Sequence, residues 1–212
     1  MTYVDFNKEA SGNVLNLSMI RSLDRCFKSF DLDCEVRAVV MKGQPSVFSK
    51  GTDYLYLAHK GRDEPEAVPE YLRELYHMIY ALSKNETPLL HHVTGQVFGS
   101  GIMLPYLSPF SISSSSAYLK FNEAKLGFIP TGGTSFVLSR LPGELGLYLA
   151  MTGDTMVGPD LAIHGMTARH GLPDKDFTHN FTYSVGSMSY STSFEDHGVA
   201  FADHYRWEQY MR

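Results

Sequence analysis

Short apolar runs alternate with amphipathic segments along most of the chain, and this alternation restricts the fold more than any other feature of the sequence. The runs VRAVVMKG (36–43) and PLLHHV (88–93), with YVDF (3–6) before them, read as strands bounded by turn residues, and FSISSSSAYLKF (110–121) as strand with turn. Between them Leu17, Ile20, Leu23, Phe27 and Phe30 recur at three- and four-residue steps behind Asn16, a candidate N-cap. Leu72, Leu75, Tyr76, Ile79 and Leu82 repeat that spacing up to a KNETP break. PSVFSKGTDYLYL passes through a glycine turn into an acidic stretch, GRDEPEAVPE (61–70), which reads as a loop. Helical segments follow at TSFVLSRL, PGELGLYLAMTG and GPDLAIHG. Strands alternating with helices predict an α/β fold with a parallel-rich sheet and crossover connections.

The bulk numbers exclude several functions. At 212 residues, 43% hydrophobic and 19% charged, the chain suits one sizeable core. Its formal net charge is -5, and its Lys and Arg residues are scattered, which disfavours direct nucleic-acid binding. Cys26 and Cys34 make no disulfide framework, so a reducing compartment is expected. No apolar run is long enough to span a bilayer. MTYVDFNKEASG lacks a secretory core and is too acidic for an Arg-rich transit peptide. Residues 177–194 turn to Ser, Thr and Tyr and read as a linker or arm that lies on a partner, and 195–212 as a C-terminal helix.

Chemistry points to FNEAKLGFIPTGG (121–133), where Glu123 stands before a glycine-rich turn. A lone carboxylate can act as a general base, yet hydrolysis or hydration ordinarily needs a second group for the other proton. His91 and His92 are neighbours on a strand and face opposite ways, so they cannot share a metal; His164, His170 and His179 have no ligand spacing, and no metal is expected. The GSG turn at 99–101 lacks the spacing of a nucleophile elbow. No P-loop or complete GxGxxG occurs.

TGQVFGSGIML (94–104) with FNEAKLGFIPTGG, preceded by LNLSMIRSL and FSKGTD and followed by LPGELGLYLAMTG and HGMTARHGL, resembles the crotonase (enoyl-CoA hydratase/isomerase) superfamily. Within it the 3-hydroxyisobutyryl-CoA hydrolase branch is the nearest match. The likeness runs from about residue 4 to 172, a crotonase-like domain taken as 1–176, and HYRWEQYMR also resembles that branch's last helix. It implies a spiral of β-β-α units with a shortened C-terminal helical region.

By position, the resemblance makes Thr52 and Ser100 the backbone donors of an oxyanion hole and Glu123 the catalytic glutamate. Ser100 replaces the family's glycine. Three acids of the family are missing: Thr131 stands at the hydrolase's second acid, Met103 at the hydratase's other glutamate, and Leu75 at a substrate-binding acid, with Glu74 one residue off register. Lys8 remains of a cationic loop for coenzyme A, followed here by Glu9 and Ala10. These losses together predict a non-catalytic paralogue kept as a structural subunit. Relatives of the branch occur in the mitochondrial small ribosomal subunit, which implies a matrix location, protein partners in a large assembly and little contact with nucleic acid. The alternatives are an acyl-CoA thioester hydrolase or enoyl-CoA hydratase using Glu123, and a coenzyme A-binding module without turnover. Beyond the coenzyme A thioester no cofactor is implied. No membrane association is expected, and a homo-oligomer stays open.

Overall fold

The computed structural model describes residues 2–170 apart from Pro109 and Ala168, so the arm at 177–194 and the helix at 195–212 lie outside the described residues. The elements run in the order β1 (Thr2–Asp5), β2 (Val14–Leu15), α1 (Leu17–Phe30), β3 (Val39–Lys42), β4 (Val47–Ser49), β5 (Gly51–Thr52), α2 (Tyr54–Asp63), α3 (Ala67–Lys84), β6 (Leu89–Val93), β7 (Gln96–Phe98), α4 (Met103–Tyr106), β8 (Phe110–Ser113), β9 (Tyr118–Lys120), α5 (Thr134–Leu138), α6 (Leu145–Thr152), β10 (Thr155–Val157), α7 (Gly158–Ile163) and β11 (Arg169–His170).

A five-stranded sheet has the order β1-β3-β6-β8-β11, and every neighbouring pair in it is parallel. A second sheet, β10-β9-β7-β4, is parallel except for its β9–β10 edge. The third pairs β2 with β5, setting Leu15 beside Thr52. All five residues of β6 are buried, as expected of a central parallel strand covered on both faces. His91 is therefore a core residue: its ring lies edge-on to Phe48, with centroids 6.3 Å apart, and Phe48 meets Phe6 in the same way at 5.5 Å.

α1 has the bounds its spacing predicts. The Asn16 side chain accepts from the Met19 amide at 3.0 Å, and Ile20, Leu23, Phe27 and Phe30 are buried. That stripe packs on α3, and each such side chain contributes roughly 1.5–3 kcal/mol on burial. The acidic stretch 61–70 corrects the sequence reading, because α2 runs through Asp63 and α3 already starts at Ala67. Pro69 falls in the first turn of α3, where its missing N–H has no helical partner to lose, so the prolines mark a helix junction and not a long loop. The turn in FSISSSSAYLKF is closed by the Ala117 amide on the Ser114 carbonyl at 3.1 Å and sends β8 and β9 into different sheets.

Candidate functional site

Glu123 ends the connection from β9 and begins a tight turn in which its carbonyl accepts from the Leu126 amide at 3.0 Å and the Phe128 amide at 2.8 Å. Its side chain points inward and the residue is 1% exposed. Oε1 lies 3.4 Å from the Thr134 hydroxyl, at the limit of a hydrogen bond, while Oε2 is buried with no partner. Burial raises the carboxyl's pKa above the ordinary carboxylate value, and Glu123's own backbone N–H and the hydroxyls of Thr134 and Tyr54 pull it only partly back. Gly99 has φ 47°, and a Cβ there would come within 2.6 Å of Glu123 Oε1, so the glutamate fits only against a glycine.

Thr52 and Ser100, the two predicted oxyanion donors, are brought together from β5 and from the 3-10 turn Gly99–Ile102. They meet through their side chains, Thr52 Oγ1 and Ser100 Oγ being 2.8 Å apart and buried. Ser100 does not strain the turn, because the positive φ is taken by Gly99 before it. The far side of Ser100 is walled by Gly132 and Leu75: a Cβ on Gly132 would be 2.7 Å from Ser100 Cβ and 2.9 Å from Leu75 Cδ2. Leu75 is fully buried. Glu74, in contrast, points to the surface and pairs with Arg21 at 3.3 Å, as one residue of helical offset dictates. Met103 is also buried, with its side chain over Gly133. Thr131 is half-buried at the start of that turn, and its carbonyl accepts from the Thr134 hydroxyl at 2.8 Å. Leucine, methionine and threonine at these three positions supply no second acid.

Lys8 lies elsewhere. It is exposed, and its backbone N–H donates to the Asn13 side chain at 2.8 Å. A groove of about 640 Å³ next to the site is lined instead by Lys50 and Lys60 as its cationic groups, with His59, Thr52 and Tyr54 among its other walls. Those two lysines are of the charge that suits phosphate groups. Among the described residues no group of three or more His, Cys, Asp or Glu side chains is arranged to hold a metal ion, and no helix is long and apolar enough to cross a membrane.

Three residues that the sequence reading did not single out organise the site. The Tyr71 hydroxyl donates to the Leu15 carbonyl at 2.6 Å and accepts from the Asp53 amide at 2.9 Å, tying β2 to the start of α2. Asn13, with φ 51°, is fully buried, and its amide donates toward the carbonyls of Phe6, Val47 and Phe48 at 3.2–3.3 Å. Its own carbonyl accepts from Ser49 Oγ at 2.9 Å, and that oxygen accepts from the Gly51 amide at 3.1 Å, so the chain into Thr52 is braced from behind. Tyr54, just after the N-cap Asp53, has a buried hydroxyl facing Glu123, Thr131 and Thr52, yet none of them meets it at hydrogen-bonding geometry. Burial, then the nearby Glu123, pushes that phenol up to about 12. The only advance sign of Tyr54 is its place directly behind the KGTD turn.

Comparison with known proteins fits this geometry. A 3-hydroxyisobutyryl-CoA hydrolase-like protein 1, mitochondrial, of Arabidopsis thaliana is 30% identical over 165 residues, covering 77% of this chain and 41% of that protein. The small ribosomal subunit protein mS47 of the same plant is 31% identical over 169 residues, covering 78% of this chain and 41% of its own. The chain therefore spans about two fifths of the length of these relatives. The crystal structure of an enoyl-CoA hydratase from Rhodobacter sphaeroides 2.4.1 superposes with a TM-score of 0.81 at 23% identity, over 90% of this chain and 57% of that one, which establishes the fold. The sequence profile described as enoyl-CoA hydratase/isomerase matches residues 1–198, and with the parallel sheets and buried glutamate described above, this places the chain in the enoyl-CoA hydratase/isomerase family.

Proposed function

We propose that this chain is a non-catalytic member of its family, serving as a structural component of the mitochondrial small ribosomal subunit. The observation that carries the reading is the site's side-chain set: Thr52 Oγ1 and Ser100 Oγ are bonded to each other at 2.8 Å at the two positions that the resemblance assigns to the oxyanion donors, and Glu123 Oε2 is buried with no partner. By the family resemblance, Leu75, Met103 and Thr131 stand where the family has its other acids. A transition-state oxygen needs donors that are free and aimed at it, and an acyl transfer needs somewhere to send the second proton. The likeness to mS47 supports the assembly named, and an acidic net charge of -5 suits contacts with protein more than with rRNA.

The test is sedimentation of the native protein from a gentle mitochondrial lysate across a sucrose gradient, followed by mass spectrometry. Co-migration with the small ribosomal subunit at moderate salt is expected; migration at the size of a free chain or a small oligomer would overturn the reading. One observation favours a second reading, an acyl-CoA thioester hydrolase or hydratase: Glu123 is retained with its pKa raised, as a general base often is. On that reading thioester cleavage or hydration is measurable, Glu123→Gln abolishes it and Thr131→Asp raises it. A chain inactive in both forms removes it. Binding of coenzyme A without turnover is the remaining outcome, visible as protection against thermal unfolding.

A further inference from the structure

Tyr54 belongs to two places at once. It lines the groove together with Thr52, and its hydroxyl is buried on the side of Glu123 and Thr131. Glu123 does not line the groove and is 1% exposed. One aromatic side chain thus stands between an open cavity and a buried carboxyl. The ring is braced from outside by Phe128, on the turn that follows Glu123, with centroids 4.8 Å apart and planes inclined by 39°. The backbone beneath it is fixed, since α2 starts at Tyr54 behind Asp53, whose side chain caps the helix and whose amide is held by Tyr71. Movement of Tyr54 is therefore a matter of its side chain.

We propose that Tyr54 is a gate residue: its ring, held by Phe128, separates the groove from Glu123 and decides whether a solute in the groove reaches that carboxyl. This holds whether or not the chain is catalytic. No well-formed hydrogen bond tethers the Tyr54 hydroxyl in the closed position, and a phenol that swings outward gains water for a partner. The closed state rests chiefly on packing, and packing is what substitution can remove.

The experiment labels carboxyl groups with a water-soluble carbodiimide and glycinamide, read by peptide mass spectrometry on the folded full chain. The carbodiimide takes the carboxyl as an O-acylisourea; the amine displaces the urea and leaves an amide. Glu144 and Glu9 are exposed and serve as internal references. In the wild type and in Tyr54→Phe, which keeps the ring, Glu123 should react about tenfold or more slowly than Glu144. In Tyr54→Ala and in Phe128→Ala it should approach the reference rate, with unchanged circular dichroism. Two results overturn the proposal: wild-type Glu123 labelling as fast as Glu144, or both alanine variants folding normally and labelling no faster than wild type. If Tyr54→Ala does not fold, Phe128→Ala carries the test by itself.

Discussion

Thr52 and Ser100, 48 positions apart in the chain, are joined by their hydroxyl groups at 2.8 Å inside the protein. Both residues are almost fully buried, so removing one hydroxyl leaves the other short of a partner. Thr52→Val or Ser100→Ala should each lower stability by about 1–3 kcal/mol. The double variant should cost less than the sum of the two, by about 0.5–1.5 kcal/mol. Urea midpoints of the four proteins measure this; strict additivity would mean that the hydroxyls do not depend on one another.

Gly132 is predicted to tolerate no side chain. Its φ is +59°, and an added Cβ would meet Ser100 Cβ at 2.7 Å, combining a left-handed backbone penalty with overpacking. Gly132→Ala should destabilise by about 2–5 kcal/mol. Ser100→Gly in the same chain should recover part of that loss, because it removes the atom that the added methyl group strikes. Thermal unfolding of the single and double variants decides it.

Glu123 sets one pH dependence. Its folded carboxyl titrates above the ordinary 4.5, so the charged form is the costly one in the folded chain. Its contribution is most favourable below about pH 4.5 and declines as pH rises through the raised folded value. The stability of Glu123→Gln relative to wild type should therefore increase as pH rises from about 4.5 and level off once pH passes the raised folded value. A difference that is flat with pH would show that Glu123 titrates as an exposed carboxyl does.

His91 sets the opposite one. Burial holds it at about 3 in the folded protein against 6.5 for a free histidine, and the unfolded chain takes up the proton first. Its contribution is full above pH 6.5 and is lost as pH falls toward 3, by at most about 1.4 kcal/mol per pH unit. His91→Leu should flatten the acid limb of the stability curve, measured by urea unfolding between pH 4 and pH 7.

Tyr71→Phe deletes a phenol that serves the Leu15 carbonyl and the Asp53 amide together. A loss of about 1–3 kcal/mol is expected. Hydrogen exchange should quicken first at Asp53, where the amide loses its acceptor.

Much of the fold is legible in the sequence because it is local. α1 and its Asn16 cap follow from residue spacing and one side-chain oxygen, both of which act within a few positions. The reading fails at 61–70, where charge and proline suggest a loop although a proline in a first helical turn costs little. At the site, the positions of Glu123, Thr52, Ser100, Leu75, Met103 and Thr131 come from a family resemblance, and the structure brings the first four and Met103 into one buried neighbourhood. What the sequence could not show is the contact between Thr52 and Ser100, or Tyr54 facing Glu123, since both depend on elements far apart in the chain. Lys8 illustrates the converse: it matches by position, but Lys50 and Lys60 are the lysines that line the groove.

Asn13 carries a consequence for the order of assembly. Its amide is satisfied by carbonyls 34 and 35 residues ahead, at Val47 and Phe48, as well as by Phe6 nearby. The bend at residues 8–13 therefore cannot settle until β4 has arrived, and β4 in turn lies in a different sheet from β1. One side chain makes the two sheets wait for each other, so the N-terminal strand should be among the last parts of this domain to become protected during refolding.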